Sequence, residues 1–565
     1  MSQGKTSSGA EKRGPSSPVP GAVLGLALLA YAWPQTWVWE LVPPDMVGTA
    51  EILAQCLAGY WIVVLVTAGF RFRTRLKKAL DAERPKESTH SSRVATVRDI
   101  EEAGLIERPS LVPALFRAAP LMLTLYCGIV GRHALQLPAT HMLVVAPSGA
   151  GKNRNIVFIL LGLNREPAVV TDVKGENFEV TSEFRRKRFH HRIIRLAAGG
   201  SHSYNPLDIL KDGLAAGGAD VLTDARIIAQ ALIPEPKDER NSYWRQGGRD
   251  LIILAMVGLA VKDPASANLG TVQSIVTDIF MLIALCEELE AETALSGDIA
   301  IIARGFLGMA QKTEKGLQEY VNVAKQAMAP YARSGILHKL TERSTFRYRD
   351  LKYKDAQGRH LTIYNHFDSS RRVVFEPFGA MLNSCMLLEL QRDPSPQRWL
   401  FVNDEAANFV VKDLPKQMTI LRGDGNGHIV NICQSRAQMQ ATWGAEGSQI
   451  ILDNSDLKIF FGLTTQEESR KVSELVGQQN VLSSSYAMGQ GAQDGIAESR
   501  SLGQRPVMTP DMVRREKRAI VIYKQERVML TSLPGYERCE PMRSQFAVNT
   551  RYGKKRLKGR KEVIF

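Results

Sequence analysis

The sequence predicts an α/β fold: a P-loop nucleotide-binding domain interrupted by an all-α domain and preceded by an N-terminal two-helix transmembrane anchor. Three observations carry this. An apolar strand at His141–Val145 runs into a Gly-rich loop and then an apolar helix. A second apolar strand, Trp399–Asn403, ends in Asp404-Glu405, and two uncharged runs stand near the N-terminus. The composition agrees with a folding chain. Of 565 residues, 44% are hydrophobic and 23% charged, which excludes collagen, low-complexity polymer and wholly disordered protein. Lys+Arg number 72 against 58 Asp+Glu, a net charge of +14, so an anionic partner is expected, nucleic acid or phospholipid. The six cysteines form no CxxC pair, which excludes a disulfide scaffold and a zinc signature and leaves reduced thiols in a cytosolic body.

Residues 1–18 are Ser/Gly/Pro-rich and expected to be disordered. Val19–Trp39 and Ile52–Phe70 follow without a charge, and about 20 apolar residues suffice to cross a bilayer core. Lys5, Lys12 and Arg13 precede the first run; Arg71, Arg73, Arg75, Lys77 and Lys78 follow the second. Positive flanks stay cytoplasmic, so the hairpin reads in–out–in. Lys12-Arg13, the apolar stretch and Ala30-Tyr31-Ala32 within the first run also fit a signal peptide. In either case the second span returns the chain to the cytoplasm. The later apolar runs Ala119–Val130, Leu251–Val261 and Ile279–Cys286 are too short to span and are expected to be buried core.

The phosphate-binding loop is Ala146-Pro147-Ser148-Gly149-Ala150-Gly151-Lys152-Asn153. Strand, Gly-rich loop and helix together place a ring of backbone N–H groups at a helix N-terminus, aimed at an anion. Gly149 and Gly151 admit close approach of the backbone, and Lys152 reaches the β- and γ-phosphates of ATP. Two positions depart from GxxxxGK[ST]: Ala146 replaces the first Gly, and Asn153 replaces the hydroxyl residue that normally holds Mg²⁺. The Asn153 amide oxygen is the candidate substitute ligand. At the other strand end, Asp404 would hold Mg²⁺ through water and Glu405 would polarise the attacking water. Val169–Glu176 and Ile429–Ser435 read as further strand ends, where ligands collect in such sheets; Gln434 is a candidate sensor of the γ-phosphate.

Between Lys152 and Asp404 the chain is too long for one uninterrupted sheet. Helical spacing at Arg245–Val261, Thr277–Leu289 and Glu314–Ala332 assigns 221–339 to an all-α domain. Sheet-like sequence resumes near Phe346, with Leu361–Tyr364 and Arg372-Val373-Val374-Phe375. Gly489–Arg505 reads as a mobile loop, and the C-terminus holds Arg551, Lys554, Lys555, Arg556, Lys558, Arg560 and Lys561. The expected organisation is a disordered N-terminus and two spans over 1–78 (about 19–39 and 50–70). A linker and the first part of the nucleotide domain occupy 79–220, then the all-α domain 221–339. The second part of the nucleotide domain is 340–540, and the basic tail 541–565.

Taken together, these motifs resemble the type IV secretion coupling proteins, the TraG-type conjugative DNA-transfer ATPases. The likeness includes the two-span anchor, the loop ending Gly151-Lys152, and Thr171-Asp172-Val173-Lys174-Gly175-Glu176. It continues through Tyr204-Asn205-Pro206-Leu207-Asp208, Tyr243-Trp244, Asp404-Glu405, Arg422-Gly423-Asp424-Gly425, and Gln434-Ser435 with Gln438. The resemblance implies a RecA-like motor, homohexameric, at the bacterial inner membrane with its bulk in the cytoplasm. Its implied ligands are ATP and Mg²⁺; its partners are single-stranded DNA, a relaxase or other relaxosome proteins, and type IV secretion channel subunits. It further implies that Arg422 is an arginine finger reaching a neighbour's site, so the catalytic candidates are Glu405, Arg422 and Gln434. A docking scaffold that binds ATP with little hydrolysis is the alternative, kept open by Asn153.

Overall fold

A computed structural model describes residues 93–105, 123–131, 133–235, 242–312, 314–392, 397–424, 426–487, 497–524, 526–551 and 563–564. The runs at 19–39 and 50–70 and the basic residues 554–561 lie outside the described residues.

Strands buried on both faces build the centre. β3 (His141–Val145), β4 (Ala168–Asp172), β7 (Trp399–Asn403) and β8 (Gly427–Cys433) are buried at every position. That is the pattern of a parallel sheet covered on both sides. With β5 (Arg192–Leu196), β6 (Leu361–His366), β9 (Leu457–Phe460), β12 (Ala519–Tyr523) and β13 (Met529–Thr531) they form one nine-stranded sheet. Its order is β13-β12-β9-β3-β8-β7-β4-β6-β5. β9 through β5 run parallel, while β12 pairs antiparallel with β9 and with β13. Period-two alternation sends Leu143, Val145, Val169, Phe401 and Ile429 into one apolar cluster and Met142, Val144, Val170, Leu400 and Val430 into the other.

The second cluster is closed by the helix that follows the phosphate loop, Asn153–Leu163, and by the hairpin of β1 (Thr124–Val130) with β2 (His133–Pro138). The first is closed by helices. Between Asp220 and Thr341 the described residues contain no strand. Val221–Leu232, Ser242–Lys262, Leu269–Thr277, Ile279–Leu289, Asp298–Lys312 and Glu314–Met328 are all helical, and their apolar faces run without a break into the sheet. Ser242–Lys262 and Glu314–Met328 cross closely: a Cβ on Gly247 would lie 2.2 Å from the Tyr320 ring.

Three expectations change. Arg372-Val373-Val374-Phe375 is no strand but the first turn of the helix Arg372–Gln391. Val373 is 88% exposed, while Phe375, Phe378, Met381, Leu382, Cys385 and Met386 continue a helical stripe into the core, so the longer period prevails. This is the one described helix long and apolar enough to cross a membrane, and it is packed inside the protein. Gly489–Arg505 is not wholly a loop, because β11 (Ala497–Pro506) pairs antiparallel with β10 (Gln478–Ala487); a ladder uses backbone groups, which Ser- and Gln-rich sequence supplies as well as any other. Ile279–Cys286 is buried on one face only, with Phe280 80% exposed.

Three buried imidazoles set the acid limit of the fold. His141 accepts from Ile429 N–H at Nδ1 (3.2 Å) and meets the Met418 carbonyl at Nε2 (2.9 Å), so its partners suit the neutral ring. Burial pushes His141 and His428 down to about 4, and burial with the Arg185 charge pushes His191 to about 2. A histidine whose folded pKa lies below its unfolded value contributes stability that is complete above about pH 6.5 and lost as pH falls below it. At pH 5 each ring costs about 2 kcal/mol by that linkage. Asp172 and Asp404, raised by burial to about 6 and about 7, act with the opposite sign. His428→Asn is therefore expected to show a shallower loss of denaturant midpoint between pH 7.5 and pH 5 than the unsubstituted chain. Equal losses in the two proteins would refute the assignment.

Candidate nucleotide site

In a parallel sheet the loops after the strands gather at one end, and that is where the candidate residues meet. β3 leads into Ala146–Asn153, β4 into Val173-Lys174-Gly175-Glu176, β7 into Asp404-Glu405 and β8 into Gln434. A cavity of about 500 Å³ opens there, lined by Ser148, Gly149, Gly151, Lys152 and Asn153 of the loop together with Lys174, Glu176, Asp404 and Glu405.

The loop has the required backbone. Gly149 (φ 82°) and Gly151 (φ 86°) are left-handed, a conformation that glycine adopts without a Cβ clash. Ala146 is pinned by its N–H on the Cys433 carbonyl (3.1 Å), and the Ala150 N–H closes onto Pro147 O (3.3 Å). Lys152 Nζ donates to Ala146 O (2.8 Å) and Pro147 O (3.3 Å). Burial lowers its pKa, against the raising charges of Asp404 and Glu405.

Asp404 is 4% exposed. Burial first, then the charge of Glu405, pushes its carboxyl up to about 7, against hydrogen bonding from the Asn153 side chain and the charge of Lys152. Asn177 Nδ2 approaches its Oδ2 at 3.5 Å. Glu405 follows with φ 56°, left-handed for a residue with a side chain, which costs about 1–3 kcal/mol and persists only where surrounding contacts impose it. The Glu405 Oε2 accepts from Asn408 Nδ2 at 2.6 Å.

Two expected residues do not line the cavity. Gln434 starts the turn after β8, its backbone N–H on Gln438 Oε1 (3.2 Å), and is not among the residues lining the cavity. Arg422 ends the helix Leu414–Asp424, ahead of the start of β8, and so stands at the opposite end of the sheet, about 20 Å away along a seven-residue strand. It is bound to Asp456 Oδ1 (2.8 Å) and to the Asn454 carbonyl (3.1 Å). The structure does not bring Arg422 to the site of its own chain.

Other residues went unread in the sequence. The folded chain continues past residue 540, and Tyr536, Arg543, Phe546 and Asn549 line the same cavity. Tyr536 meets Phe158 edge-on (5.4 Å between centroids), Arg154 pairs with Glu537 (2.9 Å), and Asn549 Nδ2 donates to Glu176 Oε2 (3.3 Å). No motif marks this segment. Gly462 (φ 65°), after β9, brings its backbone against Ala150 and likewise carries no signal beyond being glycine.

The family model for type IV secretory system conjugative DNA transfer matches residues 93–536. The chain belongs to that family. Among curated relatives of this conjugative DNA transfer protein, an Escherichia coli conjugal transfer protein TraG is 25% identical over 461 residues, covering 74% of this chain and 70% of TraG. VirD4 of Rhizobium rhizogenes is 25% identical over 467 residues, 80% of this chain and 65% of VirD4. In fold the conjugative DNA transfer protein is like the plasmid coupling protein TrwB. TrwB solved with ADP and Mg²⁺ superposes with a TM-score of 0.54 at 16% identity, over 80% of this chain and 94% of TrwB. TrwB with a non-hydrolysable ATP analogue gives 0.56 at 16% identity, over 80% and 95%. The α/β fold expected from the motifs is the one these structures share.

Proposed function

We propose that this chain is a membrane-anchored, ATP-driven coupling motor. It passes relaxase-bound single-stranded DNA, or an effector protein, to a type IV secretion channel from a homohexamer at the bacterial inner membrane. The observation that carries this is the convergence of Lys152, Asp404 and Glu405 on one cavity from two strand ends. The loop N–H groups and Lys152 would bind the phosphates, and Glu405 would take up hydrogen bonding to the attacking water. Gln434, one turn from Asn408 through Gln438, would read the terminal phosphate. Arg422, on the far rim, would serve a neighbouring subunit.

The residues suit Mg²⁺. Asp404 is a buried carboxyl at the cavity whose charge is disfavoured by burial and by Glu405, and Asn153, with its NH₂ on Asp404, has an oxygen left as a ligand. Among the described residues no group of three or more His, Cys, Asp or Glu could hold a metal by itself. An ion held by one carboxylate, an amide and phosphate oxygens is typical of Mg²⁺. When bound, it would neutralise charge on the phosphates.

The test is ATP turnover by the protein with and without single-stranded DNA, joined to reporters fused after Asp45 and after Lys78. Turnover raised by DNA, with the Lys78 reporter cytoplasmic and the Asp45 reporter periplasmic, is the expected result. A periplasmic Lys78 reporter would sink the motor, since ATP is not available there. Binding without turnover would favour the docking scaffold, the reading that Asn153 in the hydroxyl position supports.

A further inference from the structure

We propose that Asn408 is a positioning residue of the hydrolytic centre, its amide holding the Glu405 carboxylate at the cavity. The inference rests on the reading of Glu405 as the group that polarises water.

Four observations converge on this amide. Its Nδ2 donates to Glu405 Oε2 at 2.6 Å, a short hydrogen bond to an acidic side chain. Its backbone N–H donates to Glu405 O at 2.8 Å, closing the left-handed turn that carries Glu405 off the strand. Its Oδ1 accepts from Gln438 Nε2 at 3.3 Å and from Arg372 Nη2 at 3.1 Å. Both are pure donors, so the amide is polarised and its orientation is fixed. Turned over, it would set its oxygen against a carboxylate and its NH₂ against two donors.

The node also joins three strand ends. Arg372 opens the helix that follows β6, Asn408 follows β7, and Gln438 lies in the first turn of the helix Arg436–Asn454 that follows β8. Gln438 Oε1 in turn accepts from the Gln434 N–H, so the position of the Glu405 carboxylate is tied to the turn after β8. Glu405 Oε1 is left for the cavity, which Glu405 lines. Asn408 is not among the residues lining the cavity, so it should act on turnover and not on nucleotide binding.

The experiment is steady-state and single-turnover hydrolysis of radiolabelled ATP by the full chain with Mg²⁺, for Asn408→Ala and Asn408→Asp, each alone and with Glu405→Gln. Alone, Asn408→Ala is expected to lower kcat about 10- to 100-fold, the cost of a misplaced catalytic group, with KM for ATP within about twofold. Asn408→Asp keeps the shape and loses the donor, and should lose as much. Combined with Glu405→Gln, either substitution should add less than about twofold, because the group it positions is already gone. The same fold-loss in both backgrounds, a raised KM at unchanged kcat, or a fully active Asn408→Asp would overturn the proposal. If Asn408→Ala unfolds, Asn408→Asp decides, with melting and binding of an ATP analogue as controls. Wild-type activity of Glu405→Gln would remove the underlying reading and this inference together; an inactive Glu405→Gln beside a fully active Asn408→Ala removes this inference alone.

Discussion

Lys152→Ala is expected to lower ATP turnover by at least about 10²–10³-fold, the loss typical of removing one preorganised charge donor, while leaving the protein folded. The ammonium is the cation of the loop, and it lies between the Ala146 and Pro147 carbonyls on one side and the charges of Asp404 and Glu405 on the other. Its removal deletes a partly desolvated charge at the cavity and no residue of the sheet's apolar clusters, so the sheet should tolerate it. Without the ammonium the two carboxylates repel phosphate unopposed, and ATP affinity should fall as well. The check is turnover against ATP concentration beside a melting curve. Near-normal turnover in a folded Lys152→Ala protein would remove the loop from the chemistry.

The second large effect belongs to Arg422. A cation supplied in trans to a transferring phosphate is worth about 10³–10⁵ in rate. Arg422 stands at the far end of its own sheet, so any catalytic role must be played at a neighbour's cavity. Arg422→Ala should bind ATP nearly normally and hydrolyse it slowly. Mixed rings of Arg422→Ala and Lys152→Ala subunits should recover activity, because an intact Arg422 can then face an intact Lys152. The competing role is visible in the structure: Arg422 pairs with Asp456, which is 5% exposed and otherwise takes the Thr140 N–H at 3.0 Å. Were that pairing the whole role, Arg422→Ala would lower the melting temperature, Asp456→Asn would lower it similarly, and co-assembled mixed rings would stay inactive.

Legibility in the sequence followed the range of the interactions. The loop and its helix were readable because strand, glycines and helix are contiguous and the chemistry dictates their spacing. Asp404-Glu405 was readable as a strand end, and the all-α stretch by its apolar period. Asn408 was not, since an asparagine three residues past an acid is an ordinary turn residue until its amide is seen between Glu405, Gln438 and Arg372. Tyr536, Arg543, Phe546 and Asn549 reach the cavity from the far end of the chain, and no local pattern encodes that. Arg372–Phe375 misled because three consecutive residues of β-branched and aromatic character, Val373 to Phe375, fit a strand, whereas the helical stripe that decides the matter begins at Phe375. Arg422-Gly423-Asp424-Gly425 looks like the start of a Gly-rich turn, whereas Arg422 lies in the last turn of the helix Leu414–Asp424, and only the strand order reveals which end of the sheet it occupies.

The place of β3 in the sheet bears on how the protein is made. Its neighbours β8 and β9 are encoded far downstream; His141 and Ile429, partners in the ladder, are 288 residues apart. At about 5–20 residues per second, β3 leaves the ribosome roughly 15–60 s before its first partner exists. Through that interval Met142–Val145 is an apolar strand with both edges open, on a nascent chain whose helices between Val221 and Met328 can form locally. Chains cut short before residue 427 keep both edges of that strand open permanently, so such nonsense fragments should be insoluble and cleared, not dominant-negative. Tyr536–Asn549, which walls the cavity, emerges after every strand of the nine-stranded sheet, so the pocket is finished only after the sheet can close.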